Sequence, residues 1–435
     1  MTGFKKWLLL NRWFHRGFVI NGKSRISLNK SYSHICVIAP TGTGKTTRVV
    51  LPNVLNLEDT SAIITDPSGE IYNLSKGYLR SKGYAVKLLN LNDASGSLKY
   101  NPLFRCNTHT EIQKLATILV DTAYQESKGE AFWDESAKGI IGILLRAVKQ
   151  FPGHRQNLGE LYRLLNMFGH KQEEINRIMA EKLDDRSFEE FKAFLSQDDK
   201  VMNSILSTAK TALNKFSDPN LDEITCEETL LFESIRERKT AIFIVVPEHE
   251  VEYFSFILTI LYTQVFSFCM DTPLPGRSYL PVLFLLDEFG NSGKLPGFST
   301  MITTLRKRKA GVLVVLQDYE QLVNVYGKAN ASTIYNGGFS SKLFMPGMSH
   351  QLCEEVSRML GKRTLSFREA GYRDARSGFI PSRESELGRE LLTPDEIRTL
   401  RINRAIFIHG NQFPVMLRTL PWYKNRKLKR RTKIR

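Results

Sequence analysis

Four apolar residues, Ile35-Cys36-Val37-Ile38, run directly into Ala39-Pro40-Thr41-Gly42-Thr43-Gly44-Lys45-Thr46. The last eight positions fit the spacing G-x-x-x-x-G-K-[ST] of a phosphate-binding loop, with Ala39 in place of the first glycine. Such a loop needs glycines because consecutive backbone N–H groups must curl around a triphosphate. Gly42 and Gly44 meet that need, and Ala39 is the mildest possible departure. The pattern therefore predicts a strand, a tight loop and a helix over residues 45–56, whose positive end faces the phosphates. Pro40, Thr41, Gly42, Thr43, Gly44, Lys45, Thr46 and Thr47 are the candidate nucleotide contacts. Lys45 is placed to reach the β- and γ-phosphates, and the Thr46 hydroxyl to ligate Mg2+.

Further apolar, β-branched runs recur at 62–65, 85–89, 241–246, 282–286, 312–316, 341–345 and 405–409. Near-continuous apolar strands alternating with helices predict an α/β fold with a mostly parallel sheet covered on both faces. Between residues 108 and 235 no such run occurs. Ile112, Leu115, Ala116 and Leu119 recur at helical spacing instead, as do Ile140, Ile143, Leu144 and Val148. An inserted all-helical domain, net acidic, is expected at 108–235. It splits a nucleotide-binding domain formed by 31–107 and 236–420, flanked by a basic segment at 1–30 and a basic tail at 421–435. Residues 364–390, rich in Arg, Ser, Gly and Glu, read as a long surface loop.

Residues 283–288 are Leu-Phe-Leu-Leu-Asp-Glu, a buried strand that ends in two carboxylates. In the same sheet as a phosphate loop this is the Walker B pattern. Asp287 is the candidate Mg2+ ligand beside Thr46, and Glu288 the candidate general base for the attacking water. Gln317, ending the next strand, is the candidate γ-phosphate sensor. Before that strand come Arg306-Lys307-Arg308-Lys309; four cations in a row suit either a solvated helix end or a finger reaching a neighbouring subunit's ATP, with Arg308 first and Arg306 second. No N-K-x-D string argues for guanine. Asp66-Pro67 reads most simply as a helix cap followed by proline at the first helical position.

The formal charge of +16 is concentrated at the ends. Residues 1–30 hold seven Lys/Arg and residues 418–435 hold nine, with no acid in either, and together they account for the whole excess. Basic ends meet polyanions, either nucleic acid or an anionic membrane face. Residues 4–20 mix Trp, Phe, Lys and Arg around only three consecutive leucines. That is too short for a span and reads as an interfacial segment. The long uncharged stretch 253–270 is diluted by Ser, Thr and Gln and lies between two strands, so it is expected to be a buried helix. Five scattered cysteines without a C-x-x-C pair fit a reduced, intracellular protein and exclude a zinc ribbon.

These ordered motifs resemble the coupling-protein ATPases of type IV secretion and conjugation, the TraG/TraD-like group. The resemblance runs from about residue 30 to 420. Beyond the loop and the acidic pair it includes Asp66-Pro67-Ser68-Gly69-Glu70, where the family usually has Lys at the third position. It also includes Tyr100-Asn101-Pro102-Leu103, Phe132-Trp133, Arg308–Gly311 leading to Gln317 and Gln321-Leu322, and Leu391-Leu392-Thr393-Pro394. It implies a RecA-like, ATP- and Mg2+-dependent motor, a homo-hexamer when active. Such a motor brings a relaxase–DNA complex to the secretion channel and helps drive single-stranded DNA through it. The helical insert would receive substrate protein. The family usually begins with two membrane-spanning helices; this sequence lacks them and resembles the shorter members. A cytoplasmic location at the inner face of the membrane follows, with peripheral contact through residues 1–20 and DNA phosphates held by the basic tail. The competing readings are an FtsK-like double-stranded DNA pump and a substrate-recruiting scaffold that binds ATP without useful turnover.

Overall fold

A computed structural model of the chain describes residues 10, 15–124, 131–271, 279–291, 293–369, 373–374, 378–379 and 383–434. Its centre is a nine-stranded sheet. The strands are β1 (Ile35–Ile38), β2 (Ser61–Thr65), β3 (Ala85–Asn90), β4 (Thr240–Val245), β5 (Val282–Leu286), β6 (Ala310–Leu316) and β7 (Ser341–Phe344). A separate antiparallel ribbon pairs β8 (Lys362–Glu369) with β11 (Arg383–Glu390), and β9 (Arg373–Asp374) pairs with β10 (Gly378–Phe379). Two further sheet strands follow, β12 (Arg404–His409) and β13 (Val415–Arg418). The sheet order is β13-β12-β7-β1-β6-β5-β2-β4-β3. The seven strands from β7 to β3 are mutually parallel; β12 runs antiparallel to both of its neighbours.

Parallel strands covered on both sides must be apolar on both sides, and the burial alternates accordingly. Ile35 and Val37 of β1, with Leu313 and Val315 of β6, pack into one core; Cys36 and Ile38, with Val312, Val314 and Leu316, pack into the other. The first core is covered by the helix after the phosphate loop, by helix Glu70–Ser81 and by the chain's two ends. The second is covered by helix Val251–Met270 and runs on into the helices between β3 and β4. Val251–Met270 is long and apolar enough to span a membrane, but most of it is buried, as a crossover helix must be.

Among the described residues no strand lies between Asn90 and Thr240; the elements there are helical. The Tyr100–Leu103 motif joins them to the sheet. Fully buried Tyr100 donates to Gln264 Oε1 at 2.6 Å, and Gln264 Nε2 donates back to the carbonyl of Pro102 at 2.9 Å. Asn101 Oδ1 accepts from the Leu103 amide, and Asn101 Nδ2 donates to the Gln156 carbonyl at 2.6 Å. Glu228, buried beneath this corner, accepts from the Asn101 amide at 3.0 Å and lies 3.7 Å from Arg105, whose guanidinium stacks on Phe232.

Three expectations change. The stretch 364–390 is largely a β-ribbon, in register from Lys362 opposite Glu390 to Glu369 opposite Arg383. Residues 15–30, which include part of the 4–20 stretch read as interfacial, pack into the fold. Phe18, Ile20 and Ile26 are buried in the sheet core, and the Asn53 side chain bonds both backbone groups of Val19, as a partner strand would. The basic tail is docked as helix Arg426–Arg431. Leu428 is buried in the core, and Arg431 donates to the Leu55 carbonyl and to Asn56 Oδ1.

Burial pushes the Glu228 carboxyl up to about 7 despite the nearby Arg105, from an ordinary 4.5. The folded chain thus holds this proton more tightly than the unfolded one. Stability from this group is full below the ordinary value and falls as pH rises through about 7. Unfolding midpoints of Glu228→Gln and the parent, taken at pH 5 and pH 8, should show the difference moving in the variant's favour with rising pH. A pH-independent difference would contradict this origin.

Candidate functional site

The site forms at the carboxyl edge of the sheet, where β1, β5, β6 and β2 end side by side. In open α/β sheets this edge is where ligands collect. Ala39 still belongs to the ladder: its amide donates to the Leu316 carbonyl at 2.8 Å, and it is not among the positive-φ residues. A methyl group is therefore tolerated where the motif usually has glycine. Gly42 and Gly44 differ, at φ +81° and +79°, in the left-handed region that favours glycine. A Cβ on Gly44 would also lie 2.8 Å from Thr47 Oγ1. Thr43 Oγ1 donates to the Pro40 carbonyl at 2.6 Å and closes the loop. The helix then starts with a π-turn, Thr46–Val50, and continues as Leu51–Val54.

The acidic pair meets the loop across β6. Thr46 Oγ1 donates to Asp287 Oδ2 at 2.7 Å, and Lys45 forms an ion pair with Glu288. Both carboxylates are buried. Burial pushes the Asp287 carboxyl up, opposed by the Thr46 hydrogen bond and the Lys45 charge. Glu288 sits at φ +53°, a conformation that costs a non-glycine residue about 1 kcal/mol or more and aims its side chain back at the loop. Gln317 lies between: its Nε2 is 3.2 and 3.4 Å from the two Glu288 oxygens, and its Oε1 accepts from Thr41 at 3.2 Å. Gln321 accepts from the Gln317 amide at 2.8 Å. A Cβ on Gly290 would lie 2.8 Å from the Gln321 side chain, so this approach depends on glycine.

Asp66 does cap the helix that follows, but not in the way its sequence suggested. The helix begins at Glu70, after Gly69 at φ +69°, so Pro67 is not its first residue. Asp66 sits fully buried at the end of β2, beside β5. Its Oδ2 accepts from the Tyr72 amide at 2.7 Å, while Oδ1 is buried without a hydrogen-bond partner among the described residues. Burial first, with Asp287 and Glu70 adding repulsion, pushes its carboxyl up to about 6. The charge of Asp287 reaches Asp66, whose orphaned oxygen is a hard donor of the kind that suits Mg2+. Only the motif Asp66–Glu70 could have pointed to it.

Arg308 is not brought to this site within the chain. It lies in the turn Arg306–Arg308, before β6, at the amino edge of the sheet. Lys309 and the seven residues of β6 separate it from Gln317, roughly 25–30 Å at strand spacing. Its carbonyl accepts from Arg236 at 2.9 Å, and its Nε is buried without a partner among the described residues.

The family model described as type IV secretory system conjugative DNA transfer matches residues 10–434. Protein VirD4 of Rhizobium radiobacter is 27% identical over 414 residues, covering 92% of this chain and 59% of that protein. Conjugal transfer protein TraG of Escherichia coli is 23% identical over 415 residues, covering 86% of this chain and 63% of that protein. The chain thus spans about three fifths of the length of these relatives. Among solved structures, the unbound conjugative coupling protein TrwBdeltaN70 aligns at a TM-score of 0.71 with 16% identity, covering 96% of this chain and 91% of that one. Plasmid coupling protein TrwB in complex with ADP and Mg2+ aligns at 0.71 with 17% identity, covering 97% and 93%. At such identities the likeness establishes the fold, which is RecA-like.

The loop geometry separates two substitutions. Gly44→Ala should cost about 1–2 kcal/mol of stability and weaken binding of a fluorescent ATP analogue. Ala39→Gly, which restores the usual motif, should leave that affinity within about twofold, because position 39 already has ladder geometry. A large gain from Ala39→Gly would show that the methyl group distorts the loop.

Proposed function

We propose, from the premise that this chain belongs to the type IV secretory system conjugative DNA transfer family, that it is an ATP-hydrolysing coupling protein. It recruits a relaxase–DNA complex and helps move single-stranded DNA to a secretion channel. The observation that carries the reading is the convergence of Lys45, Thr46, Asp287, Glu288 and Gln317 at one sheet edge, with Thr46 Oγ1 2.7 Å from Asp287.

In this reading Pro40 to Thr47 wrap the triphosphate, and their backbone N–H groups meet its oxygens. Thr46 and Asp287 hold Mg2+, whose charge offsets that of the β- and γ-phosphates. Lys45 has two claimants. A bound γ-phosphate draws it away from Glu288, leaving that carboxylate to accept a proton from water attacking the γ-phosphorus. Gln317 already bridges Glu288 and Thr41, so it is placed to sense whether the γ-phosphate is present. Arg308 then acts in trans. Its place at the opposite edge suits a homo-hexamer in which each subunit's amino edge faces the next subunit's nucleotide. Residues 108–235 are the inserted helical domain that receives substrate protein. The protein works at the cytoplasmic face of the membrane, with relaxase and channel components as partners.

ATP turnover with and without single-stranded DNA tests this. Lys45→Ala and Glu288→Gln should each lower stimulated turnover by about 10²-fold or more, and Glu288→Gln should still bind ATP. Turnover like the parent's in either variant would remove the site assignment. Mixing inactive Lys45→Ala with inactive Arg308→Ala should restore part of the activity, because mixed rings contain some sites with both residues intact. No recovery would place Arg308 outside the site.

A further inference from the structure

The docked tail builds a second site. Helix Arg426–Arg431 and the end of helix Glu70–Ser81 enclose a cavity of about 370 Å3, lined by Tyr78, Ser81, Lys82, Lys427, Arg430, Arg431 and Ile434. Four of these are cations and none is an acid. Arg431 is half-buried, its guanidinium 4.8 Å from the Tyr78 ring centre, and burial pulls its pKa down. Lys82 and Arg430 have no carboxylate within ion-pair distance among the described residues; Glu58, whose charge reaches Arg431, forms its ion pair with Arg25. Like charges gathered around a concavity repel one another unless an anion sits between them. A cavity of this size admits a phosphate group with part of its ester.

We infer that this cavity binds phosphate headgroups of an anionic lipid surface, so that the tail is a peripheral membrane contact rather than a DNA clamp. Two observations favour lipid over nucleic acid. Single-stranded nucleic acid binds along grooves with free aromatic faces for its bases, whereas the Tyr78 ring is buried under Arg431, with Lys82 also over it. An exposed apolar tip, Ile434, lies at the cavity itself among the cations, the mixture found at a membrane interface. The cavity lies at the amino edge of the sheet, where helix Glu70–Ser81 ends and where Arg16 pairs with Asp59. The inference stands apart from the motor reading, because headgroup binding requires neither nucleotide nor DNA.

The test is flotation of the full chain with vesicles of 70% phosphatidylcholine and 30% phosphatidylglycerol, against phosphatidylcholine alone, without nucleotide. Binding should require the anionic lipid and fall with salt. Lys82→Glu/Arg430→Glu should weaken it at least tenfold, since each surface cation contributes measurably near an anionic leaflet. Lys82→Arg/Arg430→Lys should retain it, and both variants should keep the parent's unfolding midpoint. If the glutamates lower that midpoint, Lys82→Ala/Arg430→Ala carries the same test with a smaller expected loss. Equal binding to neutral vesicles, or unchanged binding in the charge-loss variant, would overturn the inference. So would loss of single-stranded DNA affinity with vesicle binding intact, which would return the tail to nucleic acid.

Discussion

The hydrogen bond from Thr46 to Asp287, with the Lys45–Glu288 ion pair beside it, ties together two halves of a site separated by 241 positions in sequence. Both contacts exist because β6 alone lies between β1 and β5, so the phosphate loop and the acidic strand end meet across one strand width. Buried charges are tolerated only when paired or bonded, and here each carboxylate has a partner from the loop. Glu288 accepts a left-handed backbone to reach its partner. Conformational strain of this kind persists only where the surroundings over-determine it, and the packed strand ends supply that constraint.

Eight of the nine sheet strands were readable because a doubly covered parallel sheet demands uninterrupted apolar runs; the antiparallel edge strand β13 (Val415–Arg418) has no such run and was missed. The loop and the acidic pair were readable because their chemistry fixes residue type at fixed spacing. Ala39 looked like a blemish in sequence and is an ordinary ladder residue in the fold. Other features depend on register that no local pattern carries. The Val19 backbone pairs with the Asn53 side chain, and Leu428 is one apolar residue in a run of cations, so neither end's packing into the core was visible in sequence. The ribbon from Lys362 to Glu390 is polar on its surface and lacks the alternation that marks a half-buried strand. Asp66 caps the first turn of the following helix, as Asp-Pro suggested, but only the folded sheet shows that its second oxygen is buried without a partner among the described residues.

The two edges of the sheet have opposite character. The carboxyl edge gathers acids and backbone donors around a phosphate loop. The amino edge, reached by Arg308 on one face and by the docked tail on the other, gathers cations.

The central claim is that hydrolysis at the carboxyl edge moves single-stranded DNA. Displacement of streptavidin from the end of a biotinylated single strand measures this movement directly. The account predicts displacement with ATP and Mg2+, and none with a non-hydrolysable analogue. ATP hydrolysis at full rate without displacement would contradict it.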